Sequence, residues 1–294
     1  MEQRSRAAVG AALTVISALG FSTLPIFGML AYAAGGNVVT VLAFRFLIAA
    51  GLLWVYVLVT RQKLPDVKTG LQLMLMGGVG YTTMSVLYLS AVAEDRLSPA
   101  MAALLLYTYP AIVAVLAWRF DRQRLAGRQT VALLLTLAGV GLVLVTPGAG
   151  VVFTPAGAAL AIGAAVVYAT YILFGSRVSV KSTPTVVTTY VATAAAAVFL
   201  AWGAASGQLV GMAPSGWWAV GGTAFFATVL AVLLFFAGIE RLGPSRASII
   251  STLEPVGTAL LSAAIFHERL GFWQIAGGLL VLGGIIWLQA GADR

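Results

Sequence analysis

Few side chains in this sequence could do chemistry, and the most telling stand where chemistry is costly. Arg45 falls inside the apolar run 38–59 and Glu254 inside the run 245–265. A charge at mid-bilayer costs about 2.5–3.5 kcal/mol on insertion scales, so each is expected to face protein or water. Pairing them would offset much of that cost. Unpaired, Glu254 could carry a coupling proton, and a polar anchor that positions its helix is the equal alternative. Tyr81, Tyr107, Tyr109 and Tyr168 also fall near the middle of apolar runs. A tyrosine facing lipid prefers the membrane interface, where its hydroxyl finds partners, so these four are expected to face inward. Tyr171 follows one turn after Tyr168. Gly78, Tyr81, Ser85 and Tyr88 form one helical stripe, and Ala164, Tyr168, Tyr171 and Gly175 form another. Thr14, Ser22 and Pro25 recur at similar spacing in the first run, and Ser251 stands one turn before Glu254. Tyr81, Tyr107, Tyr109, Tyr168, Tyr171, Ser22 and Ser251 are therefore the candidate substrate-binding set, around a cavity that stacks on an apolar or aromatic molecule. Hydroxyls bonding across helices in a dry core would give the same stripes. Tyr107 and Tyr109, two apart, cannot share a face of a regular helix, so at least one is expected to pack.

Two prolines break the regularity. Pro110 and Pro255 lack an amide hydrogen and should free the carbonyls of Leu106 and Ser251, four residues earlier. Free acceptors at membrane depth are tolerated where they line a cavity or find another partner. Catalysis has little to work with. There is no cysteine, one histidine (His267, at the end of a run), no HExxH pair and no P-loop. An enzyme is not expected, nor a metal, a cofactor or direct use of ATP.

The elements that must position these residues follow from composition. Of 294 residues, 61% are hydrophobic and 9% charged, with a mean hydropathy of +1.00. Soluble domains carry about 25% charged residues, so a soluble monomer is excluded. A bilayer helix needs roughly 20 apolar residues. Ten such runs are present, at about 7–30, 38–59, 70–91, 99–118, 127–146, 156–176, 185–205, 215–238, 245–265 and 272–290. With the N-terminus in the cytoplasm, 14 of the 17 Lys and Arg residues fall inside and only Arg96 and Arg269 outside, Arg45 being within a run. The positive-inside rule then places both termini in the cytoplasm. The net charge of +8 fits a basic face on anionic lipid rather than nucleic acid.

The chain also repeats itself. Arg96-Leu97-Ser98-Pro99 laid over Arg241-Leu242-Gly243-Pro244, an offset of 145, continues without a gap to Gly139 over Gly284, with 14 identities in 44 positions. Pairs such as Pro110/Pro255, Arg124/Arg269 and Gln129/Gln274 exceed what apolar composition alone produces. Each half, 1–150 and 151–294, holds five runs. Five is odd, so the second half enters from the opposite side: an all-α membrane protein of ten transmembrane helices in two inverted five-helix repeats, an architecture associated with alternating access.

The stretch from Gly243-Pro244 through Leu253-Glu254-Pro255 to Phe266-His267-Glu268-Arg269-Leu270, with the glycine-rich run after it, resembles the drug/metabolite transporter superfamily, and within it the ten-helix EamA-type members. The first half departs from that pattern, with Tyr109-Pro110 in place of Glu-Pro and Asp121 to Leu125 lacking the glutamate of Glu-Arg-Leu. An aromatic residue before the fourth-helix proline resembles bacterial exporters of aromatic and other apolar amino acids. The resemblance implies a secondary transporter in the bacterial inner membrane, monomeric or loosely oligomeric, exporting small apolar or aromatic metabolites, amino acids foremost. The alternative is an exporter of lipophilic drugs or other metabolites. A channel fits the duplication less well.

Overall fold

The computed structural model describes residues 2–92, 96–122, 126–144, 153–266 and 270–290. Ten helices long and apolar enough to cross a membrane lie among them: Ser5–Ala33, Val38–Val59, Val67–Val92, Met101–Asp121, Gly127–Leu144, Pro155–Val178, Pro184–Ala205, Pro214–Leu242, Pro244–Phe266 and Phe272–Gln289. They are called the first to tenth spans below. The described residues form no sheet; one isolated bridge joins Leu97 and Phe153. The expected repeat boundary at 150/151 lies outside the described residues. So do Glu94, Asp95, Arg124, His267, Glu268, Arg269 and Arg294.

Span ends follow local chemistry. Asn37 accepts the Thr40 N–H at 2.8 Å and Thr154 that of Gly157 at 3.1 Å, capping the second and sixth spans. Asp66 does the same for Thr69 at 3.4 Å, so the third span starts at Val67, earlier than hydropathy alone places it. Hydrogen bonding, led by the Thr69 side chain, holds the exposed Asp66 carboxyl below the ordinary aspartate range. Prolines open the sixth to ninth spans, where a missing N–H costs nothing. The eighth span continues to Leu242 and stops at Gly243, whose φ of 79° is a conformation other residues rarely adopt.

The inverted duplication is visible in the backbone. The fourth span is two helices, Pro99–Leu106 and Tyr109–Asp121, and the ninth is Pro244–Ser251 and Glu254–Phe266. All four pairs of bounds differ by the 145 positions of the sequence repeat. The third and eighth spans each contain a π-helical turn, Met76–Tyr81 and Phe225–Leu230. Each turn frees a carbonyl that a threonine takes up: Thr82 donates to Gly77 at 3.3 Å and Thr228 to Thr223 at 3.0 Å. Packing obeys the same symmetry. The second span packs along the seventh and the fifth along the tenth, each pair its own mate, while first-on-eighth mirrors sixth-on-third.

The fifth and tenth spans meet most closely. A Cβ on Gly139 would lie 2.6 Å from the Gly277 carbonyl oxygen, and one on Gly277 would lie 2.5 Å from that of Gly139. One repeat away, Gly284 faces Ala132, whose carbonyl oxygen would be 3.1 Å from such a Cβ. Apolar side chains gain nothing by leaving lipid for each other, so close backbone approach through small residues is what holds such helices together.

Candidate functional site

Between the two halves lies a cavity of about 690 Å³. Its floor is tyrosine and phenylalanine: Tyr109, Tyr168, Tyr171 and Phe235 line it. They rest on a packed cluster that includes Met76, Val113, Ile172 and Phe236. The wall climbs to Met29, Tyr32, Leu270 and Gln274 at the other face, where Met29 and Tyr32 are exposed. That face carries the turn Gly35 to Asn37 and the start of the tenth span. The cavity is therefore sealed toward one face of the bundle and extends to the other.

The tyrosines form a connected chain of rings. Tyr81 meets Tyr171 at 6.4 Å between centroids, Tyr171 stacks on Tyr168 at 6.0 Å, Tyr168 meets Tyr109 edge-on at 4.7 Å, and Tyr109 meets Tyr107 at 6.3 Å. These are ordinary separations for aromatic pairs, each contributing about 0.5–1.5 kcal/mol beyond burial. All five rings line the cavity. The expectation that Tyr107 and Tyr109 could not share a face holds only for a regular helix. The helix breaks between Leu106 and Tyr109, and the break turns both rings to one side. Around it the Thr108 N–H reaches the Leu105 carbonyl, and the Ala111 and Ile112 N–H groups reach Thr108, none of them reaching Leu106. At the second break the Thr252 and Leu253 N–H groups reach Ile249 and Ile250 and pass over Ser251. Pro110 and Pro255 thus mark the helix breaks that the sequence pointed to. Pro255 lies on the cavity wall; Pro110 does not.

Two candidates are placed elsewhere. Ser22 is fully buried between the first and ninth spans. Its hydroxyl stands 2.8 Å from both the Ala18 and Glu254 carbonyls, to one of which it can donate at a time. Ser251 is buried and donates to the Ala247 carbonyl at 3.0 Å. Neither is on the cavity wall; Ser251 also hydrogen-bonds the side chain of Tyr109, which is, so it stands directly behind the wall. The turn of the first span puts Ser22 on its helix-contact side, while Phe21, Leu24, Pro25 and Gly28 of the same span face inward. Phe21 was legible: at the repeat offset of 147 it is the counterpart of Tyr168. Tyr88, on the stripe with Tyr81, also lines the cavity.

The two charges share this cavity without forming an ion pair. Arg45 is 1% exposed; its Nη2 donates to the Tyr81 hydroxyl at 2.8 Å, and its guanidinium lies over the Phe46 ring at 4.5 Å. Nε has no partner among the described residues. Glu254 is partly exposed, with Tyr107 placed to hydrogen-bond its carboxylate and Arg45 near enough for its charge to be felt. No three metal-ligating side chains gather among the described residues.

Ten membrane-crossing helices, arranged as two inverted five-helix repeats around a cavity sealed at one end, define a multi-pass membrane transporter of the inverted-repeat class. Residues 8–145 and 155–289 match the EamA-like transporter family, and the chain belongs to that family. It is similar to an uncharacterized transporter of Bacillus subtilis (strain 168), YcbK, with 27% identity over 98% of this chain and 93% of the relative. YyaM of the same organism, also an uncharacterized transporter, is 26% identical over 83% of this chain and 82% of its own. An uncharacterized transporter of Archaeoglobus fulgidus is 28% identical over 68% and 69%. A solved crystal structure superposes with a TM-score of 0.81 at 20% identity, over 97% of this chain and 99% of that one, which speaks for the fold.

Proposed function

We propose that this transporter exports small apolar or aromatic metabolites, amino acids foremost, by alternating access, with the tyrosine-lined cavity as the substrate site. One observation carries the reading: the cavity between the inverted halves offers a continuous aromatic wall together with one cation and one carboxylate. Its size falls within the range of about 300–1,000 Å³ usual for small-molecule sites. An aromatic wall contributes apolar area and ring contacts to a side chain, and a few polar groups fix orientation. The face to which the cavity extends is the one the basic residues assign to the outside, so this is an outward-facing form. Its inward-facing counterpart arises when the repeats exchange conformations, as their symmetry permits. Both termini are then cytoplasmic and the membrane is the bacterial inner membrane.

The second reading, an exporter of lipophilic drugs, draws on the partly exposed Glu254 as a lone carboxylate for a cation. Counterflow in proteoliposomes loaded with one of a panel of amino acids or lipophilic cations separates the two. Trans-stimulation of labelled uptake by apolar and aromatic amino acids supports the first reading. Stimulation confined to lipophilic cations overturns it.

A further inference from the structure

We infer that Arg45, with the Tyr81 hydroxyl, receives a substrate carboxylate while Glu254, with Tyr107, receives its ammonium, so that the cavity selects zwitterions over amines or acids of the same shape. This rests on the amino-acid reading above and adds to it what holds each charge.

Arg45 is far short of partners. A guanidinium carries five N–H donors. Among the described residues the only hydrogen bond found for it goes from Nη2 to a neutral hydroxyl, and Nε is buried with none. No carboxylate among them pairs with it. A cation so poorly satisfied inside a membrane span is expensive, and such residues are retained for what they bind. The ring face of Phe46 offsets part of the cost, but it supplies no acceptor. The guanidinium fork matches a carboxylate in geometry as well as charge. Tyr81 completes the receptor. Its oxygen already accepts from Arg45 and its own proton goes to no described protein group, so the hydroxyl is left to donate to the incoming carboxylate. The π-helical turn Met76–Tyr81 sets that hydroxyl in place, as π-turns often do at functional sites.

Glu254 supplies the opposite pole. It lines the same cavity from the other repeat, at the position that corresponds to Tyr109 in the first. Two opposite charges in one cavity would each gain by meeting, yet here they remain unpaired. Arg45 is near enough for its charge to be felt at Glu254, so a ligand that carries both charges can reach the two at once, and its side chain is left to the rings that line the cavity.

The test is competition for binding of labelled phenylalanine and leucine to the purified transporter in nanodiscs. The competitors are the amino acids, the corresponding amines without the carboxylate, and the corresponding acids without the ammonium. Each single-charge analogue should compete about 10- to 100-fold more weakly, the range for one charge-assisted hydrogen-bonded contact. Arg45→Gln should bring the amino acids down to the level of their amines, with no loss of amine binding. Tyr81→Phe, which keeps the fold around Arg45, should move the same way by a smaller factor. Amines that compete as well as their amino acids in the wild type overturn the assignment while leaving an aromatic substrate in place. So does an Arg45→Gln variant that keeps the wild-type ratio. Binding of tetraphenylphosphonium with neither amino acid bound overturns the amino-acid reading, and this assignment with it.

Discussion

Replacing Gly139 or Gly277 by alanine should destabilise the folded transporter more than any other glycine-to-alanine change in the fifth or tenth span. At Gly139 the added methyl would stand 2.6 Å from the Gly277 carbonyl oxygen and 2.8 Å from the Val281 nitrogen. At Gly277 it would stand 2.5 Å from the Gly139 carbonyl oxygen and 2.7 Å from the Val143 nitrogen. These are backbone atoms, so no side-chain rotation relieves the overlap and the helices must separate. Overpacking of this kind costs about 1–3 kcal/mol, and separating the helices forfeits the close contact on which association in lipid depends. The offsetting gain of alanine over glycine within a helix is only about 1 kcal/mol. A net loss of up to about 2 kcal/mol per site follows from these two terms. Gly283, in the same span as Gly277, is the control: an added methyl there would meet nothing within 4 Å. Gly283→Ala should be neutral or stabilising. Unfolding of the purified protein in detergent, followed by circular dichroism, reads all three. Equal stability of Gly139→Ala, Gly277→Ala and Gly283→Ala would refute the close crossing and with it the two-fold arrangement of the halves.

Ser22→Ala should lower stability by about 1 kcal/mol, the value of one net hydrogen bond, and leave apparent substrate affinity within about twofold. A large loss of affinity with normal stability would return Ser22 to the binding set. Tyr168→Ala removes two ring contacts, with Tyr109 and Tyr171, and one surface for stacking. Substrate affinity should fall roughly fivefold or more, with Tyr168→Phe close to wild type if stacking dominates; wild-type transport by Tyr168→Ala would take the ring chain out of the site. A single cysteine at position 122, in a chain with no native cysteine, should be labelled by an impermeant thiol reagent only after the cytoplasmic face is exposed. Labelling in intact cells would invert the assigned orientation.

The fold was legible because hydropathy and repetition are properties of whole segments. A run of some twenty apolar residues has one structure open to it in lipid, and the 145-residue offset reappears in the broken helices of the fourth and ninth spans. The prolines at 110 and 255 announced those breaks. What the breaks do to nearby side chains was not legible. Tyr107 and Tyr109 line one cavity because the chain leaves helical geometry between them, and no periodicity carries across such a point. The Arg45–Tyr81 contact depends on a π-helical turn at Met76–Tyr81, which rotates Tyr81 away from the direction an α-helix would give it. Ser22 departs from expectation for a different reason. Its spacing suited a cavity face, but a hydroxyl one position from Phe21 also faces the neighbouring helix, and the Ala18 and Glu254 carbonyls are both within its reach as acceptors. Spacing alone does not separate those two uses.

Alternating access through the tyrosine cavity is tested most directly at its wall. Met84 lines the cavity and takes no part in the hydrogen bonds or ring contacts described above, so Met84→Cys places a single reactive thiol there. In oriented proteoliposomes its labelling by impermeant reagents added to either side reports which face reaches the cavity. The account predicts labelling from the outer face without substrate, and labelling from both faces under turnover with an apolar or aromatic amino acid. Labelling from one face alone, unchanged by any transported substrate, would contradict it.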